Sequence, residues 1–174
     1  MVIGYWLFGT RRLLRATVLV CAVILAACAQ PNEPEPVATE IAVERLRAEP
    51  YSFEFYSGLR APDRQVIRDV AAWGKVWASI YDNSAFKPPL PDIDFTKDMI
   101  VVVALGERSS GGYGILVTGA SRANDVISVR IETQSPGSDC GVTLALTHPV
   151  DVAKIPRSSA YGQFEETAKI INCG

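Results

Sequence analysis

Asp98-Met99-Ile100-Val101-Val102-Val103-Ala104-Leu105 decides the fold. Seven apolar residues follow Asp98 without a polar interruption, and the middle four are β-branched. A strand with one wet face alternates apolar and polar residues. This run does not alternate, so it predicts a central strand buried on both faces.

Downstream, Gly106 to Gly114 is a glycine-rich loop and Ile115 to Thr118 is the returning strand. Asn124-Asp125 turns the chain into Val126 to Thr133. There Ile127, Val129 and Ile131 oppose Ser128, Arg130 and Glu132, the pattern of a half-exposed strand. Pro136-Gly137 breaks it. Val142 to Thr147 alternates again and predicts another strand, and Val150 to Ile155 and Phe164 to Cys173 supply the last two. Upstream, Tyr51 to Tyr56 alternates aromatic with small or polar residues, and Gln65 to Arg68 suits a short strand. Asp69 to Asp82 is the one convincing helix, with Asp69 as its N-cap. Val70, Trp73, Trp77, Ile80 and Tyr81 fall on one stripe, which reads as a core face more readily than as a ligand platform. Lys87 to Asp92 is a proline-rich connection. The fold class expected is α+β: a mainly antiparallel β-sheet with one amphipathic helix packed on it.

The N-terminus reads as an export signal. Arg11, Arg12 and Arg15 precede the apolar run Ala16 to Ala27, which is shorter than the roughly 20 residues a membrane span needs. Leu25-Ala26-Ala27-Cys28 matches the cleavage box of bacterial lipoproteins. Residues 1–27 are therefore expected to be a cleaved signal peptide, with lipid on the sulfur and new amino group of Cys28. Such multiple acylation anchors a protein durably to a membrane. Ala29 beside Cys28 resembles the outer-membrane sorting pattern, which implies a periplasm-facing location in a two-membrane bacterium. Residues 28–50, with Pro31, Pro34 and Pro36 among Asn32, Glu33 and Glu35, are expected to be a disordered tether. Residues 51–174 are left as the domain.

The chain has 17 basic and 19 acidic residues. Losing the three leader arginines leaves 14 against 19, a net charge of −5, which disfavours a nucleic-acid partner. Of four cysteines, Cys21 leaves with the leader and Cys28 is lipidated. Cys140 and Cys173 remain in an oxidising compartment, and a bridge between them is favoured over a metal or redox site. No CxxC is present, and a lone His148 does not supply the ligands zinc wants.

No catalytic residue, metal or cofactor is expected. His148 is the single histidine, and no G-x-S-x-G surrounds any serine. Ser84-Ala85-Phe86-Lys87 fits S-x-x-K, but its companion motifs are missing. The loop Gly106-Glu107-Arg108-Ser109-Ser110-Gly111-Gly112-Tyr113-Gly114 carries two readings. One is a hairpin loop whose glycines supply positive φ. The other is a partner-binding loop made of Arg108, Ser109, Ser110, Gly111, Gly112 and Tyr113. A phosphate cradle would have to open a helix, and a strand follows here.

Over roughly Phe53 to Cys173 the chain resembles the PrcB family, named for a lipoprotein subunit of a surface protease complex. The resemblance rests on Asp69 to Trp77, on Asp94-Phe95 before Met99-Ile100-Val101-Val102, and on Gly106 to Tyr113. Pro136-Gly137 with Cys140 and then Thr147-His148-Pro149 continue it in order. Ser109-Ser110 stands where the family often has Pro-Thr. The resemblance implies a noncatalytic, membrane-anchored lipoprotein that binds or stabilises a protein partner, an exported protease being the first candidate. A weaker similarity, to chagasin-like protease inhibitors, would make the same loop an inhibitory one.

Overall fold

Asp98–Ala104 forms β4, and every residue from Met99 onward is buried. The strand separates two cores. Met99, Val101 and Val103 pack on one side with Ile115, Val117, Ile127, Val129 and Ile131. Ile100, Val102 and Ala104 pack on the other with Trp73, Trp77 and Ile80. The uninterrupted apolar run follows from this double burial.

A computed structural model describes residues 37–46, 56–85 and 87–174, which lie in the unit Pro36–Gly174. Beside β4 lie β3 (Asp63–Ile67) and β7 (Val150–Pro156), both antiparallel to it. With β2 (Glu44–Arg45) they form one sheet in the order β2-β7-β4-β3. The second sheet has the order β1-β5-β6-β8, from Thr39–Ile41, Gly114–Ala123, Val126–Pro136 and Tyr161–Ile171. Helix α1 (Val70–Ile80) covers the outer face of the first sheet. The layers are helix, sheet, sheet.

Asp69 caps α1, its carboxylate accepting from the Ala72 N–H at 2.8 Å. The buried stripe is Trp73, Trp77, Ile80 and Tyr81, while Val70 is 63 % exposed. Trp73 and Trp77 donate their indole N–H groups to the Pro91 and Pro88 carbonyls at 3.2 Å. The proline-rich connection therefore lies along the helix, and the tryptophans are core.

The structure corrects four expectations. The strands divide between two sheets instead of one, because β4 needs cover on both faces and a single helix covers only one. Strand β8 runs parallel to β6, since β7 intervenes in the other sheet and the chain returns in its former direction. Thr39–Ile41 and Glu44–Arg45 fall inside the expected tether 28–50, yet they pair with β5 and β7, so the domain starts well before residue 51. Val142 to Thr147 joins neither sheet. It is held by the Cys140–Cys173 bridge just before it, by a Gly111–Thr143 backbone hydrogen bond and by an Arg108–Thr147 β-bridge. Residues 51–55 of the expected Tyr51–Tyr56 strand lie outside the described residues, as do the leader, Cys28 and the first part of the tether.

Between β1 and β2 the chain passes from one sheet to the other. β5 is bulged at Thr118, between Val117 and Gly119. Two side chains bind the Val117 peptide groups. Asp151 accepts from the Val117 N–H at 2.8 Å, and Arg45 donates to the Val117 carbonyl at 3.3 Å. Arg45 and Asp151 also pair with each other at 3.2 Å. Burial raises the Asp151 pKa above its ordinary 3.8, outweighing the lowering by the Val117 N–H and Arg45. A raised carboxyl pKa means that the folded state holds the proton more tightly. The stability contributed by the protonated group is complete below about pH 4 and is lost as pH rises through the folded pKa. Asp151→Asn lacks this slope. The variant should gain on the wild type with rising pH across that window and run parallel above it, read by urea unfolding. A constant difference from pH 3 upward would rule the account out.

Candidate functional site

Beyond β4 the backbone enters the glycine loop, and each turn has a local cause. Gly106 sits at φ +77°, and a Cβ there would lie 2.8 Å from Pro62. Gly112 sits at φ +84°, where a Cβ would lie 2.9 Å from Pro136 and 3.1 Å from Val142. Positive φ and close packing together require glycine at both positions. The loop is a crossing between sheets, from β4 in one to β5 in the other, so the hairpin expectation is corrected while its positive-φ glycines stand.

The loop is fastened along its length. Glu107 N–H donates to the Arg60 carbonyl at 2.9 Å. Arg108 and Thr147 exchange two backbone hydrogen bonds, of 2.8 and 3.0 Å. Thr147 Oγ1 donates to the Ser110 carbonyl at 2.8 Å, and Gly111 N–H to the Thr143 carbonyl at 2.9 Å. The Arg108 guanidinium stands 5.8 Å from the Tyr113 ring centroid, within cation–π range. Tyr113 is half-buried against the inter-sheet core. Ser109 and Gly112 are exposed. The six residues Arg108 to Tyr113 are thus one rigid turn, with Tyr113 acting as its foot and not as a free contact.

The segment opposite the loop, expected to be a strand, instead carries two of the exposed large apolar side chains. Leu144 is 95 % exposed and Leu146 57 %. Tyr56 is also exposed, and it bridges His148, two residues beyond Leu146. Alternation in Val142 to Thr147 does not distinguish a buried strand from an exposed loop, so no sequence signal separated these leucines from the core. Below them, Cys140 and Cys173 are bridged, with Cα atoms 5.0 Å apart. The Asp139 carboxylate accepts from the Cys173 and Gly174 N–H groups at 2.9 and 2.7 Å, and these bonds hold its pKa below the ordinary value.

His148 is buried, with Nε2 3.2 Å from Glu107 Oε2. The buried Ser57 hydroxyl donates to the His148 carbonyl at 2.8 Å, not to the ring. The arrangement is an anchored β-bridge, and no nucleophile is placed on the imidazole among the described residues. Nor does any group of three or more His, Cys, Asp or Glu among them come together as a metal site.

Residues 99–156 match the family model described as PrcB C-terminal. That stretch runs from β4 through β7 and contains the loop, both leucines and His148. No curated protein and no solved structure matches the chain.

Proposed function

We propose, from the PrcB C-terminal character of residues 99–156, that this protein is a noncatalytic, lipid-anchored subunit that binds an exported protease or a component of its complex. One observation carries the binding surface: Leu144 and Leu146 stand exposed on a segment fastened to a rigid, glycine-cornered loop. Exposed leucines on a fixed frame are suited to burial against a partner. Arg108 and Ser109 border them with polar groups. The inhibitor reading is less well supported. Tyr113, the residue that reading would present to a protease, is half-buried against the inter-sheet core and lies under Arg108. The anchoring in this reading rests on the Leu25-Ala26-Ala27-Cys28 box, which implies a cell-envelope location, and Ala29 beside Cys28 resembles the outer-membrane pattern for a two-membrane bacterium.

The test is photo-crosslinking in cells from a reactive residue at Leu144, with a control at exposed Lys75 on α1. Leu144 should capture an exported protease or a subunit bound to one, and Lys75 should not. Leu144→Asp should weaken the association about tenfold or more. Equal capture from both positions, or none from Leu144, would overturn the reading. Fractionation of Cys28→Ser cells checks the anchor, since the variant should lose its acyl label.

A further inference from the structure

On the side where β3 and β8 end their sheets, an open cleft of about 1010 Å³ separates the two strands. Its floor includes Val66 and Phe164, and its charged lining is Arg64, Arg68 and Arg157, with no Asp or Glu. Arg64 is neutralised by Glu166, through bonds of 2.7 and 2.9 Å. Arg68 and Arg157 have no carboxylate partner among the described residues. Arg68 donates from Nε and Nη2 to the Ser158 and Ala160 carbonyls. Arg157 donates from Nη1 to the Arg68 and Phe95 carbonyls. A purely structural role, clamping the β7–β8 connection, accounts for those bonds. It leaves Arg68 Nη1 and Arg157 Nε and Nη2 without a protein acceptor among the described residues, in a chain whose net charge is negative.

The two walls differ. β3 contributes alternate residues, Arg64 and Val66, and so presents a side-chain face. β8 contributes consecutive residues, Tyr161 to Phe164, and so presents its main-chain edge. Tyr161 N–H donates to the Asp125 carbonyl, and the Thr133 hydroxyl donates to the Thr167 carbonyl. Odd-numbered residues of β8 therefore turn their peptide groups toward β6. Gly162 and Phe164 turn theirs outward, where no described strand pairs with them. An unpaired edge is a template for another strand.

The geometry points to a second docking site, beyond the leucine surface: an extended, acidic segment of a protein partner adds as a strand to the β8 edge. Its carboxylates then meet Arg68 and Arg157. Charge complementarity selects the acidic segment, and the free peptide groups of Gly162 and Phe164 select a polypeptide over a lipid headgroup.

The test first varies the probe and then the two arginines. A labelled ten-residue peptide alternating Val and Glu is titrated into the purified protein and followed by fluorescence anisotropy. Its all-Gln twin should bind about tenfold more weakly, and binding of the Glu peptide should fall with added salt. Of two Glu peptides N-methylated at alternate amides in opposite phases, the one methylated at the amides that face β8 should lose binding while keeping its charge, and the other should retain it. The variant Arg68→Gln/Arg157→Gln, checked for folding by circular dichroism, should not distinguish the Glu and Gln peptides. Equal affinity for the Glu and Gln peptides overturns the proposal, as does full binding of both N-methylated peptides. Binding to phosphatidylglycerol vesicles that depends on the two arginines, with no peptide preference, also overturns it and assigns the cleft to lipid.

Discussion

Trp73→Ala should destabilise the domain by about 3–5 kcal/mol, the range for deleting a large aromatic from a closed core. Trp73 is fully buried, and it packs in one cluster with Ile100, Val102 and Val152 of the sheet. Its ring lies tilted against Trp77, with centroids 5.1 Å apart, and Trp77 continues the contact to Tyr81 at 4.8 Å. Truncation would open a void between helix and sheet. It would also remove the donor that the indole gives to the Pro91 carbonyl, loosening the proline-rich connection. Burial in the same layer pushes the Tyr81 phenol up to about 12. Val70 supplies the internal control. It shares the helical stripe but is 63 % exposed, so Val70→Ala should change stability by no more than about 0.5 kcal/mol. Guanidinium unfolding of both variants measures the contrast. Similar midpoints for the two would mean that α1 does not seal the sheet.

That contrast also marks how far sequence alone reaches. Local signals carried the local facts. An apolar run without alternation placed β4 between two cores. Alternation placed Ile127, Val129 and Ile131 inward, and Asp69 marked the helix start. Glycines flagged both positive-φ corners of the loop, and the cysteine inventory identified the bridge. Facts that depend on distant partners were illegible. Nothing within β6 or β8 states that β7 will lie in the other sheet, so parallel pairing was invisible. The two edges that form the arginine cleft meet only after that arrangement exists. Thr39 to Arg45 lends Ile41 and Val43 to the inter-sheet core, but three apolar residues are too short a pattern to announce strands, which form where two neighbouring edges offer main-chain partners. Leu144 and Leu146 carry the alternation of buried residues, yet they lie beyond the end of any sheet.

Loss of the Cys140–Cys173 bridge is the second large effect. The cysteines are 33 residues apart in sequence, and the loop-closure model assigns such a bridge about 3–4 kcal/mol. The structure indicates where that loss is felt. Residues 165–170 of β8 are exposed. Among the described residues β6 alone pairs with this half of the strand, and the clasp at its end secures it. The clasp consists of the bridge, the Asp139 carboxylate on two terminal N–H groups, and the Gly137 N–H on the Ile171 carbonyl at 2.8 Å. In Cys140→Ser/Cys173→Ser, hydrogen exchange should accelerate first at Thr167, Lys169 and Ile171, whose amides turn toward β6. The core strand β4 should exchange only through global unfolding. The same substitution releases the start of the Val142 to Leu146 segment, so partner binding at Leu144 should weaken before the domain unfolds. A reduced protein with an unchanged unfolding midpoint and unchanged exchange in β8 would show that Asp139 and main-chain pairing hold the C-terminus without the bridge.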